Sequence, residues 1–324
     1  MTQKALDLSI VVPVYNEEES LPELFEWICK VVDEHSIATE VLFVDDGSSD
    51  ASWSVIMNLR KSDSRAKGIR FNRNYGKSAA LQTGFQACNG EVVITMDADL
   101  QDSPDEIPGL IKMIKEDGYQ LVSGWKRERH DPLGKTIPSK FFNGVTRMVS
   151  GIKLHDFNCG LKAYHRDVVK NIEVYGEMHR YIPLIAKWSG FYRIGEKVVV
   201  HRERKFGTTK FGLERFVHGF LDLISVSFVT RFRKNPMHFF GTLGTLSFLF
   251  GIVVTGFLIG DKLYSLAHHL PVRDVVDQPL FFIALVAIIL GTQLFLAGFL
   301  AEMIIQVNPK KNDYLISENL GIDA

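Results

Sequence analysis

Two apolar stretches near the carboxyl end constrain this chain most strongly. Met237–Ile259 reads MHFFGTLGTLSFLFGIVVTGFLI, and Pro279–Ile305 reads PLFFIALVAIILGTQLFLAGFLAEMII. A helix of about 20 mainly apolar residues spans the hydrocarbon core of a bilayer. A core helix of a soluble domain seldom runs this long with so few charges, so both stretches predict membrane spans. Arg231, Arg233 and Lys234 precede the first, and Lys310 and Lys311 follow the second. The positive-inside rule then puts both flanks in the cytoplasm, although Lys262 and Arg273 in the intervening loop weaken the asymmetry. The expected layout is a two-helix hairpin over residues 235–308 and a cytoplasmic tail over 309–324. Glu302, near the end of the second span, is expected to snorkel to the interface or pair with a base there. Phe211–Phe232 mixes Phe, Leu and Val with Arg and His, which predicts an amphipathic helix on the membrane surface, with 211–234 as the linker. Lys140–Ser150, with Phe141, Phe142, Val145, Met148 and Val149 on one side, reads either as a packed helix or as a second surface helix.

Residues 1–210 have a different pattern. Leu8–Val12, Val41–Val44, Gly68–Phe71, Val92–Met96 and Gln120–Ser123 have strand character, and helical spacing appears over Ser20–Val32, Lys77–Ala87 and Asp105–Glu116. Strands alternating with helices imply a largely parallel sheet covered on both faces, a doubly wound α/β domain. Ligands of such sheets sit outside the carboxyl ends of the strands. Glu17, Asp45, Asp46, Asp97 and Asp99 all follow strands, so the fold gathers them along one edge.

The chemistry concentrates in Glu91–Gln101, EVVITMDADLQ. Asp97, Asp99 and Gln101 offer hard oxygen ligands suited to Mg2+ or Mn2+, with substrate phosphates completing the shell. The plainer alternative is an acidic turn after a strand. Ser48, Ser49 and Asp50 read mainly as helix caps. No G-x-G-x-x-G follows the first strand, and no G-x-x-x-x-G-K-[ST] occurs, which disfavours nicotinamide chemistry and P-loop hydrolysis. Lys and Arg total 37 against 38 Asp and Glu, so the overall charge suggests no nucleic-acid partner. Cys29, Cys88 and Cys159 lie far apart, which fits a reducing compartment and small-hydrophobe roles. The amino terminus enters a strand almost at once without the pattern of a signal peptide.

PVYNEEESLPEL, FVDDGSSD, NRNYGKSAALQTGF and DADLQDSPDEIP, in this order, resemble the family-2 glycosyltransferases of the glycosyltransferase-A fold. Within them the chain is similar to the polyisoprenyl-phosphate glycosyltransferases, such as dolichyl-phosphate mannose synthase and the bacterial undecaprenyl-phosphate sugar transferases. The resemblance implies that Pro13, Tyr15 and Glu17 line the nucleotide pocket and that Asp45 or Asp46 contacts the base or ribose. It implies that Asp97 lies beside the diphosphate and sugar while Asp99 and Gln101 hold the divalent cation. Asp97 reads as a general base or, since a phosphate monoester is already mostly dianionic at neutral pH, as an orienting charge.

Arg127, in the basic loop Gly124–Arg129, is either solvated or a phosphate ligand. Asp156, in DFNCGLK, matches the family segment that closes the sugar pocket, with Lys162 where an arginine is frequent. Arg202, Arg204 and Lys210 lie in a basic run that in the family closes over the diphosphate, and guanidinium groups suit its oxygens. The implied activity is inverting transfer of one sugar, with UDP-glucose as first choice among UDP- and GDP-linked donors, to polyprenyl phosphate at the inner membrane. A homo-oligomer is implied as well. The rivals are a processive polysaccharide synthase, whose Q-x-x-R-W is missing here, and a catalytically silent sugar or lipid binder.

Overall fold

The strands of the first half form because short β-branched runs end at turn residues, and each is buried on both sides. The computed structural model describes residues 6–127, 143–202 except 145, 149 and 177, 236–307 except 272, and 316–321. Strands β1 (Leu8–Val14), β2 (Thr39–Asp45), β3 (Ala66–Phe71) and β4 (Val92–Thr95) pair in parallel, with Val14 opposite Asp45 and Leu8 opposite Val92. The connecting helices are α1 (Leu21–Glu34), α2 (Ser52–Ser62) and α3 (Lys77–Ala87), and α4 (Ile107–Lys115) follows β4. Further on come β5 (Leu121–Trp125), β6 (Lys162–His165), α5 (Arg166–Asn171), α6 (Ile182–Trp188) and β7 (Ile194–Val198). The sheet runs β7-β5-β6-β4-β1-β2-β3-β8, where β8 is Ile316–Leu320.

Alternate residues of a strand face opposite sides of the sheet. Leu8, Ile10, Val12 and Val14 accordingly pack with Leu21, Leu24, Phe25 and Ile28 of α1 and with Ile107, Leu110 and Ile114 of α4. Val11, Leu42 and Val44 pack on the other side with Ala80, Leu81 and Phe85 of α3 and Ile182 and Ile185 of α6. Burying each such side chain contributes about 1.5–3 kcal/mol, and the two layers clamp the carboxyl edge between them.

Three features depart from the sequence-based expectation. Helix α2 went unread because its apolar face is thin: only Ser52, Trp53 and Ile56 are buried. Strand β6 runs antiparallel between β4 and β5, with Lys162 opposite both Thr95 and Ser123, so the sheet is mixed rather than purely parallel. The expected tail contributes β8, which pairs antiparallel with β3, and Glu318 accepts a hydrogen bond from Trp53 Nε1 at 2.8 Å. One short edge strand carries too little pattern to be read locally.

The chain divides into two compact units, 1–227 with 312–324 and 228–311. In the second, α7 (Pro236–Ala267) and α8 (Pro279–Val307) pack through small residues. A Cβ on Gly244 would lie 2.6 Å from the Gly291 carbonyl oxygen, and Ser247 Oγ donates to the Ala287 carbonyl at 2.9 Å. Close backbone approach at glycines with an interhelical hydroxyl bond is the packing mode of helices in lipid. Both helices contain spans long and apolar enough to cross a membrane, Met237–Ala267 and Pro279–Ala301, with 17% and 11% of their most apolar windows buried. So little burial argues against a soluble core helix. The surface helix expected over 211–232, the flanking bases 231, 233, 234, 310 and 311, and the side chain of Glu302 lie outside the described residues.

Candidate active site

The carboxyl edge is built from loops that hold one another. Asn16, at φ 56°, donates its backbone N–H to Ser48 Oγ at 3.0 Å and accepts from Ser49 N through Oδ1 at 2.9 Å. Asp50 accepts from Glu18 N at 3.2 Å as well as from Ser52 N at 3.0 Å. Ser48, Ser49 and Asp50 therefore tie the β1 loop to the β2 loop, and among them only Asp50 also acts near the start of α2. Tyr15, half exposed, projects from this rim beside Pro13. Glu17 receives Ser20 Oγ on its carboxylate at 3.1 Å.

Asp45 and Asp46 are both buried. Asp45 Oδ1 accepts from Ser48 N at 2.9 Å, and Arg70 Nε lies 3.4 Å from Oδ2. Asp46 accepts from Tyr75 N at 2.7 Å and Gly76 N at 2.9 Å. Burial pushes the Asp46 carboxyl above its ordinary value; these hydrogen bonds oppose the shift and the Asp45 charge adds to it. Asp46 is thus the clamp of the loop that delivers Lys77.

Lys77 opens α3, where its charge opposes the helix dipole. The compensating partner is Asp97, whose Oδ1 lies 2.5 Å from Lys77 Nζ. Burial works to raise the Asp97 pKa, but Lys77, Lys126 and Lys162 outweigh it and hold the carboxyl down to about 2. The backbone of Gly160 passes directly against this carboxylate: a Cβ there would sit 2.4 Å from Asp97 Oδ2.

Beyond Asp97 the chain turns sharply at Leu100, which is buried with φ 60°. That left-handed conformation disfavours a leucine by about 1–2 kcal/mol, a strain of the kind found at ligand sites. Asp99, buried, accepts from Gln101 N at 3.2 Å. Gln101 carbonyl accepts from Arg202 N at 3.0 Å, and Asp102 forms a bridge with His201. The basic run after β7 therefore starts on the back of this turn. Asp102 is fully buried, and Lys126 Nζ lies 2.9 Å from its Oδ1. Burial raises the Asp102 pKa, Lys126 opposes that, and Asp97 and Asp99 add to it.

Of the remaining predicted residues, Asp156 and Arg202 have partners of their own around this edge. Asp156 is buried, accepts from Asn158 N at 3.0 Å, and adjoins Glu196, whose Oε1 takes the Asp156 N–H at 3.2 Å. It braces the turn leading to Cys159 and Gly160. Arg127 is exposed with no side-chain partner among the described residues. Arg202 stacks 4.1 Å above the Trp27 ring and lies 4.0 Å from Asp105. Arg204 and Lys210 lie outside the described residues.

The sequence alone did not mark Lys77, His179 or Arg180 as site residues, placed Lys126 only within the basic loop Gly124–Arg129, and left the role of Lys162 open. With Asp97, Gly160 and Asn158, the residues Lys77, Lys162, His179 and Arg180 line one narrow pocket. A lysine at the first position of a helix that follows a strand was the available signal for Lys77.

Among the described residues no three His, Cys, Asp or Glu side chains form a metal cage. The donor set at the turn, Asp99 with Gln101 beside Asp97, is made of hard oxygens. That chemistry fits a magnesium or manganese ion sharing its shell with substrate phosphates.

A mixed α/β sheet with its acids at the carboxyl edge, phosphate-attracting lysines around them and no nucleotide-binding glycine fingerprint defines a glycosyltransferase of the glycosyltransferase-A fold. Residues 9–173 match the family described as Glycosyl transferase family 2, and the chain belongs to that family. A protein of Rhizobium johnstonii named dodecaprenyl-phosphate galacturonate synthase is 35% identical over 307 residues, covering 93% of this chain and 88% of its own. An undecaprenyl-phosphate 4-deoxy-4-formamido-L-arabinose transferase of Pseudomonas syringae is 37% identical over 257 residues, 78% of this chain and 73% of its own. Among solved structures, mannosyl-3-phosphoglycerate synthase from Rubrobacter xylanophilus aligns with TM-score 0.57 at 16% identity, over 70% of this chain and 74% of that one. Glucosyl-3-phosphoglycerate synthase from Mycobacterium tuberculosis, in complex with Mn2+, UDP-glucose and phosphoglyceric acid, aligns with TM-score 0.52 at 20% identity over 69% and 79%. These structures share the fold.

Proposed function

We propose that this enzyme transfers a single sugar from a nucleotide sugar to polyprenyl phosphate at the cytoplasmic face of the inner membrane. The observation that carries the reading is the strained Leu100 turn, which holds Asp99 and Gln101 beside the Lys77–Asp97 pair in a chain with two membrane-length helices. The relatives named for polyprenyl-phosphate transfer support the acceptor. Their sugars, galacturonate and formamido-arabinose, replace UDP-glucose as the donors to test first.

In the proposed step an oxygen of the lipid phosphate attacks the anomeric carbon from the face opposite the nucleotide. One carbon–oxygen bond forms as the bond to the nucleoside diphosphate breaks, which inverts the configuration. The acceptor phosphate, with its second pKa about 6, is already largely dianionic at neutral pH and needs no base. Asp97 is saturated by the Lys77 ammonium, which supports an orienting role. Asp99 and Gln101 would hold Mg2+ or Mn2+, whose positive charge would offset the negative charge that builds on the leaving diphosphate. Pro13, Tyr15 and Glu17 line the nucleotide side; Arg127, Arg202, Arg204 and Lys210 supply phosphate contacts as the loops close.

Chain connectivity supports a hairpin topology: residues 1–227 and 312–324, which flank the helical unit in the sequence, both belong to the first compact unit. An even number of crossings follows if both helices span. The proposed organisation is a catalytic domain over 1–210, a surface linker over 211–234, the hairpin over 235–308, and a tail that returns to the sheet.

The test is incubation of the full chain with undecaprenyl phosphate, Mg2+ or Mn2+ and a panel of labelled UDP- and GDP-sugars. A lipid-linked monosaccharide supports the reading, a long polymer favours a processive synthase, and binding without turnover favours a silent binder. Activity that survived both chelation and the Asp99→Ala, Gln101→Ala double substitution would overturn the metal role.

A further inference from the structure

A contact across 265 residues ties β8 to the rim assigned to the nucleotide. Strand β8 pairs with β3 so that Glu318 stands directly opposite Arg70 and Leu320 opposite Gly68. Residues directly opposite on antiparallel strands share a face, so this carboxylate and guanidinium lie on one side of the sheet. Trp53 of α2 lies on the same side. Its ring fills the space over Gly68, where a Cβ would stand 3.0 Å from Trp53 Cζ3 and 2.9 Å from Ile56 Cγ2. Trp53 Nε1 donates to Glu318 Oε2 at 2.8 Å, and a buried indole N–H needs such an acceptor. The Arg70 guanidinium carbon is 5.9 Å from the ring centroid, within reach of a cation–π contact. Strands β3 and β8 together therefore cradle Trp53.

Two routes lead from this cradle to the rim. In the first, Arg70 Nε lies 3.4 Å from Asp45 Oδ2, Asp45 Oδ1 accepts from Ser48 N at 2.9 Å, and Ser48 Oγ accepts from Asn16 N at 3.0 Å. In the second, Trp53 follows Ser52 at the start of α2, and Ser52 Oγ accepts from Glu17 N at 2.9 Å. Both routes end on consecutive backbone N–H groups next to Tyr15. Asn16 has φ 56°, a left-handed conformation that asparagine tolerates better than most residues and that persists where its surroundings over-determine it.

Resting on the assignment of Tyr15 and Glu17 to the nucleotide, we propose that β8 belongs to the donor site. Glu318, Trp53 and Arg70 are positioning residues that set the rim for a nucleoside diphosphate. Their effect falls on binding at the rim rather than on the reacting centre, because Asp97 and Asp99 have ties of their own to Lys77 and Gln101. The segment that follows the two apolar helices thereby sets donor affinity through packed and hydrogen-bonded neighbours.

The test titrates UDP and GDP into the full chain with Mg2+ by calorimetry and carries the tighter one through the variants. Glu318→Ala and Trp53→Phe should each weaken it at least about 5-fold. The donor KM should rise alike, while kcat at saturating donor changes by less than about twofold. Glu318→Gln, which keeps an acceptor for the indole, should restore the lost affinity. Glu318 is exposed, so its variants keep the test alive if Trp53→Phe folds poorly. Hydrogen exchange at the Asn16 and Glu17 N–H groups should quicken in both weakened variants. The Tyr75 and Gly76 N–H groups, held by Asp46, serve as the unchanged reference. Affinity unchanged in both variants, or a loss confined to kcat, overturns the proposal. Tyr15→Ala tests the assignment beneath it: wild-type affinity in that variant, or no binding of either nucleotide to the wild type, defeats the nucleotide reading. Exchange at Asn16 and Glu17 then judges β8 alone, and rates unchanged in both variants reject its role.

Discussion

Gly160→Ala isolates the position of Asp97 from the stability of the fold. The new Cβ would stand 2.4 Å from Asp97 Oδ2, 2.6 Å from Cγ and 2.9 Å from Oδ1. Ordinary contact requires about 3.5 Å, so the carboxylate must withdraw by about 1 Å. It cannot do so and keep its geometry with Lys77 Nζ, now 2.5 Å away. The backbone itself has no reason to move, since Gly160 is not at positive φ and its carbonyl is held by Thr95 Oγ1 at 2.8 Å. Removing a glycine at a permitted conformation stabilises by about 0.4–1 kcal/mol through the unfolded chain. Asp97 is about a third exposed and can swing outward, so the net change in stability should be within about 1 kcal/mol. Displacing a reacting-site group by 1 Å lowers turnover by about 100-fold. Formation of lipid-linked sugar, measured beside thermal unfolding, gives both quantities. Wild-type turnover in a well-folded Gly160→Ala protein would refute the role of Asp97, and a loss of more than about 2 kcal/mol would refute the account of the backbone.

Four further outcomes follow from the structure. Asp46→Ala strands the backbone N–H groups of Tyr75 and Gly76, and denaturant titration should show a loss of about 3 kcal/mol, from two bonds to a charged acceptor. His179 has a folded pKa well below 6.5, so the unfolded chain binds the extra proton and stability falls as pH drops through 6.5 toward the folded value; His179→Gln should flatten that part of the stability profile measured between pH 7 and 5.5. Truncation after Lys311 removes β8 and bares the β3 edge, and light scattering should show increased self-association with a lowered unfolding temperature. Gly244→Val drives a side chain into the Gly291 and Phe295 backbone of α8, whereas Gly260 has nothing within 4 Å; cysteine crosslinking between α7 and α8 should fall in the first variant and persist in Gly260→Ala.

Local pattern determined a good part of this protein. The apolar periodicity of the strands and of α1, α3 and α4, the length of the two C-terminal runs, and the order Asp97, Asp99, Gln101 after a strand are short-range properties, and the structure reproduces them. The same local view gave no warning of α2, where two apolar residues carry the buried face. What tertiary structure alone decided is which distant segments share an edge. Lys162 follows a stretch that reads as a loop, yet antiparallel insertion of β6 sets it between Thr95 and Ser123. Lys77 meets Asp97 because Asp46 clamps the turn before α3, and the C-terminal segment closes the sheet because β3 leaves an edge unpaired. Each of these is a hydrogen-bonded pairing across tens to hundreds of residues. Its stability comes from the partner, so neither segment carries its signature alone.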